Sequence, residues 1–264
     1  MCQDMMRAEI WLQDTMGSQK GIEELASKMG YSSSQVRRRF RHYFGLSPGA
    51  YRDRLRLEKA ARLLIHTSSN INQIAGVCGY RNHSAFSRAF QRHYEQSPRR
   101  FRQAVRVSLK RRLNATEDFH YDIREQPSHK AVLTRLYRPD RLRDDLRDWL
   151  RHTPGAEALP ARLDKAPPVA IFHDRPLEGA LPRLDLGVQL SGGDANLALP
   201  PAFRTLHLPA QRHACVPLQD IGQLDAAVLY MACRGVSGEG EPISGDAPLL
   251  LQAGHGLELR IPLL

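Results

Sequence analysis

The sequence lacks the features that mark membrane, secreted and zinc-binding proteins. Its 264 residues contain no run of about 18 apolar residues, the length that a transmembrane helix needs. Residues 1–7 include Asp4 and contain no apolar segment like that of a secretory signal peptide. The four cysteines, Cys2, Cys78, Cys215 and Cys233, are too few and too scattered for a disulfide framework or a zinc cluster. We therefore expect a cytoplasmic protein that needs no cofactor or metal and does not contact a membrane.

Acidic residues are scarce in the first part of the chain. Residues 1–113 contain 22 Lys and Arg against 8 Asp and Glu, a balance of +14. Residues 114–264 contain 16 Lys and Arg against 20 Asp and Glu, a balance of −4. This asymmetry predicts a module that binds a polyanion at one end and a module of a different kind at the other. A general bias towards solubility is the alternative.

Two copies of one pattern follow each other in the basic part. Each copy has an apolar helical stripe that ends at Gly-Tyr, then a second stripe, then Ser-Pro followed by an aromatic residue and arginine. The paired positions are Gly30-Tyr31 and Gly79-Tyr80, Ser47-Pro48 and Ser97-Pro98, and Tyr51-Arg52 and Phe101-Arg102. A short helix, a tight turn and a second helix are the outline of a helix-turn-helix unit. A solenoid is the alternative, but it needs more than two copies.

The copies differ in length by one residue. Phe40 follows Gly30 by ten positions, whereas Phe90 follows Gly79 by eleven. The additional residue therefore lies in the turn or at the start of the second helix.

The second helix of each copy has a polar face suited to DNA. In the first copy, about residues 33–44, Val36, Phe40 and Tyr43 are expected to pack inward. Arginine can donate two hydrogen bonds to guanine, and the start of a recognition helix usually meets the bases. We predict base contacts from Ser34, Arg37, Arg38, His83, Ser84 and Arg88, and phosphate contacts from Arg41, Arg52, Arg56, Ser87, Gln91 and Arg102. A solvated charged face is the alternative, and the repeated layout disfavours it.

A single helix is predicted between the copies, over Pro48 to His66. A helix of about 17 residues is about 26 Å long. Such a rod can hold two recognition helices about one DNA turn, about 34 Å, apart. One chain could then read two successive major-groove segments of double-stranded DNA, although a plain spacer would have the same pattern.

The stretch from about Met6 to Val105 resembles the DNA-binding domain of AraC/XylS-type transcription regulators. The resemblance implies an all-α domain of seven helices, with two helix-turn-helix units joined by a long helix, and base-reading positions at Ser34, Arg37, Arg38, Ser84 and Arg88. The family often has a larger side chain in place of Ser34 and Gln in place of Ser84, so its base preferences are not transferable. It also usually has Gly in place of Glu95. The matching positions are Ile22–Ala26, Gly30-Tyr31, Phe40, Gly45–Pro48, Tyr51-Arg52, Arg56-Leu57, Ala60, Leu63-Leu64, Ile74-Ala75, Gly79-Tyr80, Phe86, Arg88, Phe90, Ser97-Pro98 and Phe101-Arg102.

The acidic part is predicted to be an α+β domain. Amphipathic helices over 141–151 and 221–232 alternate with strand-like segments, which we interpret as a β-α-β-β module given twice, with antiparallel sheet and helices on one face. The predicted organisation is a DNA-binding domain over residues 1–108, a linker over 109–118 and a second domain over 119–264.

The second domain is similar to GyrI-like effector-binding domains. The similar segments are Ile123–Pro127, Leu184–Val188 and Leu257–Pro262. The resemblance implies a pseudo-twofold module that binds a small compound between its halves. Candidate effector-binding residues are Trp149, Phe172, Phe203, Tyr230 and Met231, because ligand sites are mainly apolar. Burial of the same residues in a core is the alternative.

The sequence contains no catalytic motif such as His-Glu-x-x-His, a phosphate-binding loop or Gly-x-Ser-x-Gly. The spacing of His207, His213, Cys215 and Cys233 matches no zinc pattern. We therefore expect a non-enzymatic transcription regulator whose partners are DNA, a small-molecule effector and RNA polymerase. An enzyme or a ligand-sequestering module tethered to a DNA-binding arm is the alternative.

Overall fold

The computed structural model of the chain contains two compact units, Met1–Ser108 and Leu109–Leu264. It describes all residues except 1–2, 19, 114–117, 138–141, 154, 157–158, 175–181, 191–197 and 237–240. Cys2, part of the predicted linker and the start of the predicted helix 141–151 therefore lie outside the described residues. Within the described part, no helix combines the length and the apolar character needed to cross a membrane.

Within the described residues, the N-terminal unit is built from helices alone, which confirms the predicted all-helical region. The structure places the additional residue of the second copy in the turn, because α3 begins three positions after Gly30 and α6 begins four positions after Gly79. Both glycines are left-handed, with φ of 69° and 77°. The helices are α1 (Gln3–Asp14), α2 (Ile22–Met29), α3 (Ser33–Phe44), α4 (Pro48–His66), α5 (Ile71–Val77), α6 (His83–Tyr94) and α7 (Pro98–Leu113).

Helix α4 contributes to two separate hydrophobic cores. Its first half buries Tyr51 and Leu55 with residues of α1, α2 and α3. Its second half, from Leu57 to Leu64, packs with residues of α5 and α6. Each helix-turn-helix unit thus has its own core, and the two cores are joined by one continuous helix. With 19 residues, α4 is about 28 Å long.

The C-terminal unit contains an eight-stranded sheet in which every pairing is antiparallel. The predicted antiparallel sheet is confirmed. Its strand order is β1-β6-β8-β7-β3-β4-β2-β5. The strands are β1 (Asp122–Gln126), β2 (His129–Tyr137), β3 (Pro168–Phe172), β4 (Arg183–Leu190), β5 (Phe203–Leu208), β6 (Gln211–Leu218), β7 (Leu249–Ala253) and β8 (Gly256–Pro262), and the helices are α8 (Leu146–Arg151) and α9 (Leu224–Cys233).

The described elements have a duplicated order, but the predicted β-α-β-β formula was wrong by one strand. Each half is β-β-α-β-β: β1, β2, α8, β3 and β4, then β5, β6, α9, β7 and β8. Strands β1, β2, β3 and β4 of the first half correspond to β5, β6, β7 and β8 of the second half. When each strand is replaced by its counterpart, the strand order of the sheet reads the same from the opposite edge, so a pseudo-twofold axis lies between β3 and β7. The formula omits the first strand of each half, β1 and β5. Each of these strands forms an edge of the sheet and pairs with the second strand of the other half, β1 with β6 and β5 with β2.

Helix α8 begins at Leu146, later than predicted. The Asp145 side chain accepts hydrogen bonds from the backbone N–H groups of Arg147 and Asp148, at 2.8 and 3.0 Å. This is the geometry of an N-terminal cap, so the chain becomes helical only after Asp145. Leu142, which was expected on the helix, packs against the core from the segment that precedes it.

The two faces of the sheet differ. One face packs against α8 and α9 in the main core of the unit. The other face has a smaller apolar cluster to which no described helix contributes. Gly187 of β4 lies close to β2, since a Cβ atom there would clash with the carbonyl oxygen of Val132 and approach Leu133 Cα to 2.9 Å. No larger residue can occupy position 187 unless β2 and β4 separate.

Candidate nucleic-acid interface

Helix α3 is held by its caps and by one buried stripe. Ser32 accepts a hydrogen bond from Gln35 N at 3.3 Å, and the Gln35 side chain accepts one from Ser32 N at 2.9 Å. Val36 and Phe40 are fully buried. Tyr43 was expected inward but is 41% exposed. The stripe instead continues at Phe44, four residues after Phe40, which matches the helical repeat better than a step of three.

The opposite face of α3 has the side chains that were predicted to read bases. Ser34, Arg37 and Arg38 are all exposed, as is the predicted phosphate contact Arg41. The side chains of Arg38 and Arg41 have no hydrogen-bond or ion-pair partner within the described part of the chain. Arg37 lies 3.4 Å from Glu23, and both side chains are largely exposed. The guanidinium groups of Arg38 and Arg41 are therefore available to an anionic partner. The charge of Arg37 is partly compensated by Glu23.

Helix α6 repeats this arrangement with fewer charges. It begins after Asn82, whose side chain accepts a hydrogen bond from Ala85 N at 2.8 Å, and it buries Phe86 and Phe90. His83 and Ser84 are exposed, and the His83 ring lies 3.3 Å from the Ser87 hydroxyl.

The remaining predicted contacts on α6 are also accessible. Arg88 and Gln91 are exposed, and among described residues neither side chain has a hydrogen-bond or ion-pair partner. The structure thus brings the α6 candidates to one face, as it does on α3.

Three predicted phosphate contacts have intramolecular partners instead of free guanidinium groups. Arg52 donates to the carbonyl oxygen of Lys20 at 2.5 Å. Arg56 donates to the carbonyl oxygen of Met16 at 2.7 Å. Arg102 donates to the carbonyl oxygens of Leu64 and Ser69, at 3.1 and 2.6 Å, and lies at the place of Arg52 in the second copy. Contact of these three residues with phosphate stays a prediction, but each also ties a helix to the segment that precedes a helix-turn-helix unit.

The guanidinium groups of Arg52 and Arg102, which donate to these carbonyl oxygens, are partly buried. Burial lowers the pKa of the Arg52 guanidinium, and the neighbouring charge of Arg56 lowers it further. The pKa of Arg102 is lowered in the same way by burial and by Arg106. Both groups remain cationic at neutral pH, because arginine titrates far above it.

Two arginines of α7 near the predicted contacts were not among the residues predicted from sequence. Arg106 donates to the carbonyl oxygen of Thr67 at 2.8 Å and corresponds to Arg56 of the first copy. Arg99 lines a shallow depression of about 350 Å³ at the start of α6, together with His83 and Arg102. The signal was present, since Arg99 directly follows the repeated Ser-Pro pair.

The candidate effector residues of the C-terminal unit lie in its main core. Trp149, Phe172, Phe203 and Met231 are buried, and Tyr230 is partly buried against the same cluster. They pack where α8 and α9 meet the sheet, so the structure supports the core interpretation of these side chains. Among the described residues, no group of His, Cys, Asp and Glu is placed to hold a metal ion.

Comparison with known proteins identifies the helical part. Residues 25–104 match a family described as helix-turn-helix domain. The chain is 36% identical over 99 residues to the HTH-type transcriptional activator RhaS of Enterobacter sp. (strain 638), an alignment that covers 38% of this chain and 36% of that relative. It is 37% identical over 93 residues to RhaS of Citrobacter koseri, covering 35% of this chain and 34% of the relative. The chain thus spans about a third of the length of these relatives.

Two solved structures are similar to the same part of the chain. One is a transcriptional regulator with an AraC-type DNA-binding domain from Chromobacterium violaceum, at 30% identity and a TM-score of 0.37, covering 38% of this chain and 89% of that one. The other is the DNA-binding domain of AdpA in complex with a target DNA, at 29% identity and a TM-score of 0.38, covering 39% and 94%. From the sequence matches, the predicted helix-turn-helix DNA-binding domain is confirmed.

Proposed function

We propose that this chain is a sequence-specific transcription regulator that reads two adjacent major-groove segments of duplex DNA with α3 and α6. The observation that supports this most is the pair of helix-turn-helix cores built on α4. Each unit exposes one face of its second helix, with Arg38 and Arg88 accessible. The similarity to activators named RhaS supports a regulatory role for the domain.

The charge of the unit favours a polyanionic partner. The excess of basic residues in 1–113 gives a sequence-independent attraction to phosphates, which positions a protein on DNA. Base contacts from Ser34, Arg37, Arg38, His83, Ser84 and Arg88 would then supply specificity.

We propose further that the C-terminal unit binds a small molecule, as the resemblance to GyrI-like domains implies, or a protein partner such as RNA polymerase. A ligand can change DNA affinity only if it binds one state of the protein more tightly than another. The duplicated sheet agrees with the pseudo-twofold module that this resemblance implies. The charge balance of −4 from residue 114 onward disfavours a second DNA-binding surface there.

Selection of duplexes from a random library by the full chain, followed by footprinting, tests the DNA-binding proposal. We expect one enriched sequence with two protected major-groove segments about one turn, about 34 Å, apart. The double variant Arg38→Ala, Arg88→Ala should abolish enrichment. The control is the double variant Arg151→Ala, Arg162→Ala, which removes the same amount of charge from exposed sites of the C-terminal unit. It should leave the enrichment unchanged. Enrichment of a site with a single protected segment would contradict the two-segment proposal.

A further inference from the structure

The helix side of the C-terminal unit contains a pocket between α8 and the segment that leads from α8 to β3. Its volume is about 350 Å³, and small-molecule sites occupy about 300–1,000 Å³. All the residues that line it lie between the start of α8 and the end of β4, within the first half of the unit. The pocket is therefore distinct from a site between the two halves, which the resemblance to GyrI-like domains implies.

The inner wall of the pocket is apolar and its mouth is charged. Leu150 of α8, Leu163 of the short 3₁₀ helix Ala161–Leu163 and Val188 of β4 form the wall and are buried at the edge of the main core. Arg151 and Asp164 also line the pocket, and both are exposed. Because exposed and buried residues share the lining, the pocket opens to solvent and leads inward to apolar side chains.

Arg147 fastens the two sides of the pocket to each other. From α8 its guanidinium group donates to the backbone carbonyl oxygens of Asp164 and Ala166, the second at 2.8 Å. These bonds hold the segment after the 3₁₀ helix against α8 without any ligand. A site that is already ordered loses less free energy when a ligand binds.

The two charges at the mouth are opposite in sign and unpaired. The side chains of Arg151 and Asp164 have no hydrogen-bond or ion-pair partner, including each other, within the described part of the chain. Arg151 follows Arg147 by one helical turn, and Arg147 bonds the carbonyl of Asp164, so both charges flank the same opening. The pocket thus presents one cation and one anion beside an apolar wall.

The buried charged cluster of the same unit offers no such opening. Asp185 accepts hydrogen bonds from Arg135, at 2.5 and 3.1 Å, and from Arg204 at 2.6 Å. His173 Nε2 lies 2.7 Å from the same carboxylate. The side chains of Asp185 and Arg135 have no exposed surface, so this cluster is closed to a ligand.

We infer that the pocket binds an apolar α-amino acid, with the carboxylate on Arg151, the ammonium group on Asp164 and the side chain against Leu150 and Leu163. Guanidinium and carboxylate groups form strong charge-assisted hydrogen bonds, and so do ammonium and carboxylate groups. An acid or an amine with the same apolar body can pair with only one of the two charges. The inference rests on the proposed effector role of the C-terminal unit and names the chemical class of the effector.

Titration calorimetry of the full chain with L-leucine and L-phenylalanine tests this. Glycine lacks the apolar body of leucine, 4-methylpentanoate lacks its ammonium group and 3-methylbutylamine lacks its carboxylate. We expect saturable one-to-one binding of at least one of the two amino acids, and leucine should bind about tenfold or more tighter than each of the three comparisons. No saturable binding of either amino acid would overturn the inference, as would 4-methylpentanoate or 3-methylbutylamine binding as tightly as leucine.

Variants assign the two charges. Arg151→Gln should weaken leucine binding about tenfold or more and remove the preference for leucine over 3-methylbutylamine. Asp164→Asn should weaken it similarly and remove the preference over 4-methylpentanoate. Arg162→Gln is the matched control, because Arg162 is exposed on the same segment but does not line the pocket, and it should leave binding unchanged. Equal weakening by Arg162→Gln, or none by the other two variants, would overturn the assignment.

These measurements separate the inference from the proposals on which it builds. They need no DNA, so their failure would leave the DNA-binding proposal standing, together with an effector of another chemical class. Unchanged melting temperatures of Arg151→Gln and Asp164→Asn would show that the variants fold, as expected for exposed side chains. The DNA selection is made without added amino acid, so Arg151 remains a valid control there.

Discussion

Glu95 and Gly45 lie at the same place in the two helix-turn-helix units, and both have left-handed backbone. Each ends the second helix of its unit, with φ of 58° at Glu95 and 72° at Gly45. Glycine adopts this conformation freely, whereas a Cβ atom makes it unfavourable. Within the described part of the chain, Glu95 is the single non-glycine residue with positive φ. The second unit thus has a local backbone strain that the first avoids.

Replacing Glu95 by glycine should stabilise the N-terminal unit by about 1 kcal/mol, because the strain of the left-handed conformation is removed. Gly45→Ala should destabilise it by a similar amount. Chemical unfolding followed by Trp11 fluorescence in a Trp149→Phe background measures both. A loss of stability in Glu95→Gly would show that the glutamate side chain contributes more than its backbone costs.

The helical unit could be predicted closely because its signals are local. Side-chain caps, left-handed glycines and apolar stripes lie within one or two helical turns, and the bounds of α4 are those expected from sequence. Tyr43 shows the limit of this reasoning. Because Tyr43 and Phe44 are consecutive aromatic residues, the sequence does not show which of them continues the buried stripe. In the structure it is Phe44, whose ring packs against Tyr51.

The charged cluster of the C-terminal unit could not be predicted, because its members are far apart in sequence. Arg135, His173, Asp185 and Arg204 come from four strands or strand ends and meet only through the sheet register. An effector-binding role for the aromatic residues stays a prediction, although the structure places their side chains in or against the core. Composition alone does not distinguish a side chain that lines a pocket from one that fills a core, as Trp149 does.

Base reading by α3 and α6 can be tested with single variants. Arg38→Ala or Arg88→Ala should reduce discrimination between the selected site and random duplex by about 1–3 kcal/mol each, because each removes a donor to a base edge. Competition binding at fixed salt measures this, with Arg162→Ala as the control for lost charge. An equal loss on both duplexes would identify the residue as a phosphate contact.

Phosphate contact should have a different signature, which Arg41 can show. Affinity for any duplex should fall linearly on a log–log plot against salt, with a slope of about −0.9 for each phosphate that is neutralised. Arg41→Ala should weaken binding to specific and random duplex alike and reduce the slope by about one. Affinity that does not change with salt would contradict the electrostatic part of the proposal.

The close approach of β2 and β4 makes Gly187 difficult to replace. Gly187→Ala should destabilise the C-terminal unit by about 1–3 kcal/mol, since the added Cβ meets the Val132 carbonyl and the strands must shift. Unfolding followed by Trp149 fluorescence in a Trp11→Phe background measures this. Gly76→Ala, on α5 of the N-terminal unit with open space around it, is the control and should leave the unfolding transition reported by Trp149 unchanged. A neutral Gly187→Ala would show that this part of the sheet is more adaptable than its geometry suggests.

Acid should weaken the C-terminal unit through the cluster around Asp185. Burial lowers the pKa of His173, and the charge of Arg135 lowers it further, against the opposing effect of Asp185. The unfolded chain therefore binds a proton at His173 more readily than the folded chain. Stability should fall as the pH drops below about 6.5, where an unperturbed histidine titrates, and Asp185, whose pKa is also lowered, should add to the loss at more acidic pH.

The variant His173→Gln isolates the histidine part of this effect. Its amide can still donate to Asp185 but takes up no proton, so its unfolding free energy should decline less than that of the wild type between pH 7 and pH 5, roughly the range in which histidine titrates. Unfolding at a series of pH values measures the difference. His255→Gln, at an exposed turn, should follow the wild-type curve. Burial also lowers the pKa of His213, so the stability of His173→Gln should still fall somewhat as the pH is lowered. If the stability of His173→Gln and of the wild type changed identically with pH, groups other than His173 would be responsible for the acid sensitivity.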